Sequence, residues 1–315
     1  MGGALVTGGA GFIGSNLVDA LLERGEEVTV LDDLSSGHWE NLAGALNRGA
    51  RFHPAGVTDA AAVGRIVAAT QPDTVFHLAA QIDVRHAVAD PARDATVNLI
   101  GTVMMLEAAR RHGVRRFVLA STGGAIYGNA TELPTPERAA PRPGSPYAAS
   151  KAAAESYLEL YRELHGLSTM SLRLANVYGP RQAGGEAGVI AIFCAAAMAG
   201  DAVTIYGDGA QTRDFVYVGD VVEAFLTAGE RDDAGRCNIA TGRETSIVEL
   251  ARALGLRVRF RPGRAGEVLR SCLDPSAARR QLGWQATTPL ATGLQRTLTS
   301  MAPVPRRARA VSASP

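Results

Sequence analysis

The first half of the chain alternates between short apolar runs, typical of strands, and longer segments with apolar residues every three to four positions. Residues 4–14 (ALVTGGAGFIG) begin as an apolar run and end in glycines. Residues 15–25 (SNLVDALLERG) have helical periodicity, and residues 27–33 (EVTVLDD) are a second apolar run. The pattern predicts a strand–turn–helix–strand unit of about 30 residues, the size of a mononucleotide-binding half.

The same alternation continues to about residue 175. The predicted elements follow in the order ARFHPAGV (strand), AAAVGRIVAAT (helix), DTVFHLAA (strand), ARDATVNLIGTVMMLEAARRHG (helix), RRFVLAST (strand), PYAASKAAAESYLELYRELHG (helix) and STMSLRLANVYG (strand). Strands that alternate with helices predict an α/β fold, with a doubly wound parallel sheet of the Rossmann type.

The pattern loosens after this point, where glycine- and proline-rich loops separate shorter elements. We therefore assign residues 1–175 to a Rossmann-type domain and residues 176–300 to a smaller substrate-binding portion, some of whose segments return to the first domain. The apolar run 189–199 is shorter than the roughly 20 residues that span a bilayer and is interpreted as a buried helix. Residues 301–315 lack apolar periodicity and are predicted to be a disordered tail.

The composition argues against several classes of protein. The formal net charge of the 315-residue chain is +1, which does not favour a nucleic-acid-binding protein. Cys194, Cys237 and Cys272 are widely spaced and form no C-x-x-C, so we expect neither a disulfide framework nor a metal site. No charged segment precedes the first apolar run, so we expect no signal peptide. We predict a cytoplasmic protein without a membrane partner.

Three glycines lie where the first predicted strand turns into the first predicted helix. Gly8 permits the tight turn, Gly11 lets the backbone approach a pyrophosphate, and Gly14 lets the helix pack on the sheet. Asp32 ends the next strand and is followed by Asp33. A carboxylate there accepts hydrogen bonds from ribose hydroxyls and repels a 2′-phosphate, which favours NAD over NADP as the cofactor of the first domain.

The segment SPYAASK (145–151) places Tyr147 and Lys151 one helical turn apart, so that their side chains share a face. The chain has 32 Lys and Arg residues, and Lys151 is the only lysine. A free tyrosine has a pKa of about 10, which a nearby ammonium lowers by stabilising the phenolate. Lysine is compact enough to donate to a ribose hydroxyl as well, whereas arginine is broad and planar. We interpret Tyr147 as a catalytic base and Lys151 as its activator and a cofactor ligand.

These motifs resemble the extended short-chain dehydrogenase/reductase superfamily, and within it most closely the UDP-glucose (UDP-galactose) 4-epimerase family. The resemblance covers about residues 3–298, and the matching stretches are TGGAGFIGS, LDDLSSG, HLAAQ, ASTGGAIYG, SPYAASK, LRLANVYGPRQ, IYGDGAQTRDFVYVGD and LGW. It implies an isomerase that epimerises a UDP-hexose, UDP-galactose or UDP-glucose, at C4. Tyr147 would remove the proton of the 4-hydroxyl while hydride passes to tightly held NAD, and the 4-keto sugar would turn over before hydride returns.

A serine or threonine usually completes the site in this family. Our candidate is Thr122, at the end of the predicted strand RFVLAST, and Ser121 is its competitor. The choice is open because STGGAIY carries one more residue before Tyr127 than the S-x-x-x-Y form of many epimerases.

The resemblance implies further ligands. Phe12 and Ile13 would offer backbone N–H groups to the pyrophosphate, and Asn98 would lie on the cofactor side of the long helix. Beside Thr122 and Tyr147, the expected ligands of the UDP-sugar are Asn176, Val189, Tyr206, Arg213, Arg264, Glu267 and Ser271. The two arginines of this set would pair with the diphosphate.

Some positions depart from the family pattern. Leu174 stands where relatives usually have tyrosine, and the position of an acidic adenine contact is Gly56, with Asp59 nearby. Ser271 replaces a bulky aromatic gate of some members. The smaller side chain predicts room for a 2-acetamido group, so UDP-N-acetylhexosamines are a second class of expected substrate.

Other activities of the superfamily stay open at this stage. A 4,6-dehydratase usually has an Asp-Glu pair after the catalytic threonine, and Gly123 and Gly124 argue against it. A UDP-glucuronate epimerase or decarboxylase is not excluded, and neither is dTDP in place of UDP. A non-catalytic NAD-binding sensor would have no reason to combine Tyr147, Lys151 and Thr122.

Two further expectations concern assembly and a buried histidine. The family usually forms homodimers through two long helices, here about residues 92–112 and 147–165, whose alanines permit close approach. His77 ends a predicted strand near the cofactor, and we interpret it as structural.

Overall fold

A seven-stranded parallel sheet lies at the centre of the protein, for which the computed structural model describes residues 3–182, 188–233, 235–263 and 268–302. The strands are β1 (Gly3–Thr7), β2 (Glu27–Asp32), β3 (Arg51–Pro54), β4 (Thr74–His77), β5 (Arg116–Thr122), β6 (Ser168–Leu174), β7 (Asn176–Tyr178), β8 (Val203–Tyr206), β9 (Thr212–Arg213), β10 (Phe215–Tyr217), β11 (Gly235–Ile239), β12 (Thr245–Ser246) and β13 (Val258–Arg261).

The helices surround this sheet and continue into the second half of the chain. They are α1 (Phe12–Glu23), α2 (Ala43–Asn47), α3 (Ala60–Thr70), α4 (Val84–Ala89), α5 (Pro91–Ala95), α6 (Gly101–Arg111), α7 (Gly123–Ile126), α8 (Pro146–His165), α9 (Val189–Ala199), α10 (Val218–Glu230), α11 (Ile247–Ala253), α12 (Ser276–Leu282) and α13 (Leu290–Met301). A 3-10 turn lies at Trp39–Asn41, and a π-helical segment, Thr96–Ile100, joins α5 to α6.

The order of the strands creates a crevice at the carboxyl ends of the central strands. The order is β11-β6-β5-β4-β1-β2-β3, and all neighbours are parallel. The chain runs outward from β1 to β3, then returns to the other side of β1 and runs outward again from β4. In doubly wound sheets, ligands bind at the carboxyl ends of the strands where the order reverses, here between β1 and β4. The predicted α/β fold with a doubly wound parallel sheet is confirmed.

Both faces of the sheet are covered, as a parallel sheet requires. Successive side chains of a strand point to opposite faces, and β1 shows the consequence. Leu5 packs into the apolar cluster formed with α3, α6 and α8, whereas Val6 packs into the cluster formed with α1 and α10. Both side chains are fully buried. The near-continuous apolar runs of the strands therefore come from burial on two faces.

The second half of the chain contributes to both parts of the molecule. Strand β11 extends the central sheet beside β6, and α10 packs against β4, β5 and α1. The remaining elements form three two-stranded sheets, which pair β7 with β10, β8 with β13 and β9 with β12. A third apolar cluster joins side chains of α9, α11 and α13.

Two helical segments bear on function. The helix expected at about 92–112 is a continuous helical run through α5, the π-helical segment and α6. The apolar run 189–199 forms α9, which buries Ile190 and Phe193 but leaves Ile192 and Met198 exposed.

Within the described ranges, no helix is long and apolar enough to cross a membrane. No group of three or more His, Cys, Asp or Glu side chains in those ranges is placed to hold a metal ion.

Candidate active site

A glycine-lined turn joins β1 to α1 at the reversal of strand order. Gly8 has a φ of 70°, and a Cβ there would lie 2.6 Å from the backbone nitrogen of Ala79. A Cβ on Gly14 would lie 2.1 Å from the carbonyl oxygen of Gly8, so α1 starts in direct contact with the turn. Gly11 is the N-cap of α1 and offers no side-chain acceptor, which leaves the first N–H groups of the helix available to an anion.

A cavity of about 600 Å³ opens in front of this turn at the carboxyl ends of the central strands. It brings together most residues that the sequence assigned to the cofactor, and two positions noted as departures from the family pattern. Those lining residues are Gly8, Gly11, Phe12, Ile13, Gly14, Asp32, Asp33, Gly56, Ser121, Tyr147, Lys151 and Leu174.

Asp32 is held rigidly at the end of β2. Its carboxylate accepts hydrogen bonds from the backbone N–H groups of Ala10 (2.9 Å) and Leu34 (2.8 Å). Burial raises the pKa of Asp32, while these two hydrogen bonds act in the opposite direction. The neighbouring Asp33 is exposed and accepts a hydrogen bond from the Ser35 N–H. The two carboxylates give this end of the cavity a negative rim, which suits ribose hydroxyls and disfavours a 2′-phosphate.

Tyr147 lies in the first turn of α8, where its hydroxyl is influenced by the Thr122 hydroxyl at the end of β5. Ser145 caps this helix by accepting from the Ala148 N–H, and Pro146 occupies its first position. Burial raises the pKa of Tyr147 to about 12, the Thr122 hydroxyl lowers it, and the Asp94 carboxylate adds to the rise. Tyr147 therefore needs additional positive charge to act as a base near neutral pH.

Lys151 follows one turn later and is 2 % exposed. Its ammonium donates a hydrogen bond to the carbonyl oxygen of Ala120 on β5 (3.1 Å). Burial lowers the pKa of Lys151 to about 8, and the carboxylates of Asp94 and Glu155 oppose that change. Lys151 therefore supplies a buried cation on the same helix face as Tyr147.

Ser121, the alternative to Thr122, faces a different partner. Its hydroxyl donates to a carboxylate oxygen of Glu155 (2.5 Å), and Glu155 forms a buried ion pair with Arg173 on β6. Successive residues of a strand point in opposite directions, so only one of the two hydroxyls can meet Tyr147. Ser121 lines the cavity, whereas it is the Thr122 hydroxyl that lowers the pKa of Tyr147, which favours Thr122 as the partner of that hydroxyl.

Three other side chains named from the sequence make contacts within the protein. Asn98 is fully buried in the π-helical segment, where its side-chain amide pairs with the backbone N–H and carbonyl of Gln81 (both 2.9 Å). Asp59 caps α3 by accepting from the Ala62 N–H. His77 lies between the hydroxyls of Thr7 (2.8 Å) and Thr102 (3.0 Å), and burial lowers its pKa to about 3.

The side chains assigned to the sugar nucleotide lie in the second half of the chain, outside the lining of the cavity. Asn176 begins β7, and its N–H donates to the carbonyl of Asp214. Arg213 donates to the carbonyls of Thr212 and Val268. The described residues assigned to the sugar nucleotide in this half of the chain are all partly buried: Asn176 (β7), Val189 (α9), Tyr206 (β8), Arg213 (β9) and Ser271. Arg264 and Glu267 lie outside the described residues.

The sequence interpretation missed a set of buried polar residues around Tyr147 and Lys151. Asp94 accepts a hydrogen bond from Ser150, and Glu155 pairs with Arg173. One signal was present: Glu155 lies four residues after Lys151, on the same helical face. The partners of these carboxylates lie far away in the chain, so no local pattern shows them.

A family model described as the NAD dependent epimerase/dehydratase family matches residues 4–240. The chain belongs to this family. It is 50% identical over 303 residues to UDP-glucose 4-epimerase of Mycolicibacterium smegmatis, covering 93% of this chain and 96% of the relative. The crystal structure of UDP-glucose 4-epimerase from Thermotoga maritima with UDP-glucose is similar, with a TM-score of 0.91, 46% identity and coverage of 95% of this chain and 98% of that chain.

A third comparison concerns the cofactor of the family. The Thermus thermophilus UDP-glucose 4-epimerase in complex with NAD has a TM-score of 0.87 and 43% identity, covering 94% of this chain and 98% of that chain. The cavity described above fits NAD. The glycine turn leaves the first N–H groups of α1 open to a pyrophosphate, and the same lining includes Asp32, which suits ribose hydroxyls, together with Tyr147 and Lys151. NAD is the cofactor that this family and these residues indicate.

Proposed function

We propose that this protein is a UDP-glucose 4-epimerase that interconverts UDP-galactose and UDP-glucose. The observation that carries the proposal is that Tyr147 and Lys151, one turn apart on α8, line the same cavity of about 600 Å³ as the glycine turn and Asp32. Relatives and structures of that activity match the chain over nearly its whole length, which supports the substrate class. The proposal includes a 4-keto sugar as the transient intermediate.

The residues of the chain perform the proton transfers. Tyr147, as the phenolate, removes the proton from the sugar 4-hydroxyl, and Thr122 holds the reacting oxygens by hydrogen bonding. NAD, when bound, supplies the hydride acceptor and donor for C4 and a positive charge beside the phenolate. Lys151 adds its own positive charge and reduces the cost of forming the phenolate in a buried site. Tyr147 then returns the proton to the opposite epimer, so that the enzyme ends as it began.

The second half of the chain would bind the sugar nucleotide. Arg213 is the described guanidinium that we assign to the diphosphate, and Arg264 and Glu267 would complete this side from the segment outside the described residues. Asn176, Val189 and Tyr206 would line the path of the nucleotide between β7, α9 and β8.

The test is a coupled assay of the purified protein with UDP-galactose and no added NAD, which detects UDP-glucose. Turnover that is lost in Tyr147→Phe, while bound NAD is retained, supports a 4-epimerase with tightly held cofactor. UDP-glucuronate and dTDP-glucose are tested alongside. Conversion of one of these, with UDP-galactose unchanged, would keep the mechanism and overturn the substrate assignment.

UDP-N-acetylhexosamines are a second candidate class of substrate, because Ser271 is small and only partly buried beside β9. We expect UDP-N-acetylglucosamine to be turned over or to inhibit competitively. Ser271→Tyr should reduce the use of the N-acetylated sugar while leaving UDP-galactose turnover within about threefold. Neither turnover nor inhibition at millimolar UDP-N-acetylglucosamine would contradict this assignment.

A homodimer is the assembly we propose. Apolar side chains at the spacing of one helical face, Tyr157, Leu160 and Leu164, are exposed on α8, and Ile100 is exposed where the adjacent α6 begins. Two such faces from two copies would form a four-helix contact. The double substitution Leu160→Glu/Leu164→Glu should convert a dimer into a monomer in sedimentation, whereas Phe260→Glu, at an exposed apolar residue of β13, should not.

We also propose a cytoplasmic location. The described structure buries Cys194, Cys237 and Cys272 as free thiols, which suits a reducing compartment.

A further inference from the structure

Asp94 is a buried carboxylate in α5, at the lining of the cofactor cavity, and it is 1% exposed. One of its oxygens accepts hydrogen bonds from the side-chain amides of Asn98 (2.9 Å) and Gln81 (3.1 Å). The other accepts from the hydroxyl of Ser150 (2.7 Å). All of these donors are neutral groups, so the hydrogen bonds hold Asp94 in place without neutralising its charge.

Each of these partners connects Asp94 to the active site. Ser150 immediately precedes Lys151 in the turn of α8 that begins with Tyr147. Gln81 lines the cofactor cavity, and Asn98 holds the backbone of Gln81 through two hydrogen bonds. Asp94 therefore joins the turn that carries the catalytic pair to the loop after β4 that borders the cofactor.

The charges around Lys151 are unequal in their effect. Asp94 faces it from α5, Glu155 from the next turn of α8, Tyr147 from the preceding turn and His77 from β4. Glu155 is paired with Arg173 of β6, which offsets its charge. His77 is neutral, because burial lowers its pKa to about 3. Among the residues that the structure describes, Asp94 is therefore the carboxylate whose charge acts on Lys151 without a cationic partner in direct hydrogen-bond contact.

The geometry points to Asp94 as a positioning residue for the catalytic pair of the proposed 4-epimerase: it holds the Ser150 turn in place and keeps Lys151 as an ammonium. The inference rests on the proposed function for its kinetic consequence only. The charge of Asp94 acts on both groups in the same direction, since it raises the pKa of Lys151 and the pKa of Tyr147. Without that charge, both groups should lose their protons at lower pH.

Two substitutions separate the two parts of the role. Asp94→Asn keeps the shape and can still accept from Asn98 and Gln81, while its amide can donate to Ser150, so the charge is removed with little loss of hydrogen bonding. Ser150→Ala removes the link to α8 and keeps the charge. Asp73→Asn, at an exposed carboxylate just before β4 at the far end of the sheet, is the control for a change of net charge.

The chain offers an unusually clean measurement, because Lys151 is its only lysine. Protein labelled with ¹³C at the lysine ε-carbon gives a single side-chain signal, whose chemical shift follows protonation without any need for turnover. In the NAD-loaded protein, the Lys151 signal of Asp94→Asn should titrate at lower pH than in the wild type. In Ser150→Ala and Asp73→Asn, the Lys151 signal should titrate at the same pH as in the wild type. A midpoint in Asp94→Asn equal to that of the wild type would overturn the electrostatic part.

Kinetics test the positioning part. Asp94→Asn should move both limbs of the pH profile of kcat with UDP-galactose to lower pH. Ser150→Ala should lower kcat by roughly tenfold at every pH with little change in KM, since a misplaced catalytic group costs rate rather than binding. Wild-type kcat in Ser150→Ala would overturn the positioning part. If wild-type protein does not turn over UDP-galactose but the lysine signal shifts as expected, the proposed function fails and the electrostatic role of Asp94 stands.

Discussion

Arg173 of β6 and Glu155 of α8 form a buried ion pair beside the strand end that carries Thr122. The Arg173 Nε lies 2.9 Å and 3.1 Å from the two Glu155 carboxylate oxygens. Glu155 also accepts from Ser121, and Arg173 donates to the hydroxyl of Tyr127 (2.7 Å). One ion pair therefore joins α8 to β5, to β6 and to the turn after β5.

Breaking this pair should be costly. In Glu155→Gln the buried guanidinium loses its counter-charge, so we expect a loss of about 3–5 kcal/mol in the free energy of unfolding, measured in urea. The double variant Glu155→Leu/Arg173→Met removes both charges and should lose less than Glu155→Leu alone. An exposed pair is the control: Asp232→Asn, which breaks the contact with Arg115, should cost less than about 1 kcal/mol. Equal costs for the buried and exposed pairs would contradict the role of Glu155.

The two hydroxyls at the end of β5 should have separable roles. Thr122→Ala removes the hydroxyl that lowers the pKa of Tyr147 and should lower kcat by roughly 100-fold, within the range of acid–base contributions, whereas Thr122→Ser should keep most of the activity. Ser121→Ala leaves Tyr147 and its partner intact, so we expect lower stability and a much smaller change in kcat. A steady-state assay at saturating UDP-galactose decides between them. The reverse ranking would make Ser121 the catalytic hydroxyl.

The glycine turn should tolerate no side chain at Gly14. A Cβ there would lie 2.1 Å from the carbonyl oxygen of Gly8, and relieving the overlap moves α1 away from the turn. We expect Gly14→Ala to cost about 1–3 kcal/mol of stability and to retain less NAD through purification. Gly44→Ala is the matched control, because a Cβ at that helical glycine of α2 meets no atom within 4 Å. NAD released on denaturation, measured per mole of protein, gives the comparison.

His77 should make the protein sensitive to acid. Burial holds the pKa of His77 at about 3, below its ordinary value of 6.5. Above pH 6.5 the histidine is neutral in both states. Below that pH the unfolded chain binds a proton that the folded protein excludes until about pH 3, so stability falls by up to about 1.4 kcal/mol per pH unit.

The variant His77→Gln isolates this contribution. It should be less stable than the wild type at pH 7, because the hydrogen bonds to Thr7 and Thr102 are weakened. Its free energy of unfolding should fall less steeply between pH 6.5 and pH 4. Parallel profiles for the two proteins would show that His77 is protonated in the folded state.

Features that depend on local spacing and local sterics could be predicted from the amino-acid sequence. The apolar periodicity predicted α3 with its observed bounds, because burial of one face repeats at every turn of a helix. The apolar run 189–199 predicted a buried helix; α9 has these bounds, but Ile192 and Met198 are exposed, so only one face of it is buried. Gly8 and Gly14 were recognisable because a turn of positive φ and a close helix start exclude other residues. Tyr147 and Lys151 share a face because four residues make about one helical turn.

Contacts between residues that are distant in the chain became visible only in the tertiary structure. Only the packing of α8 against β5 brings Ser121 to Glu155 and lets the Thr122 hydroxyl act on Tyr147. The contacts of Asp94 with Ser150, and of Glu155 with Arg173, join different elements, so no periodicity records them. Strand β11 joins the central sheet although it follows the change of pattern near residue 175. Local patterns report which face of an element is buried, whereas the buried charges and hydroxyls of this site depend on which elements meet.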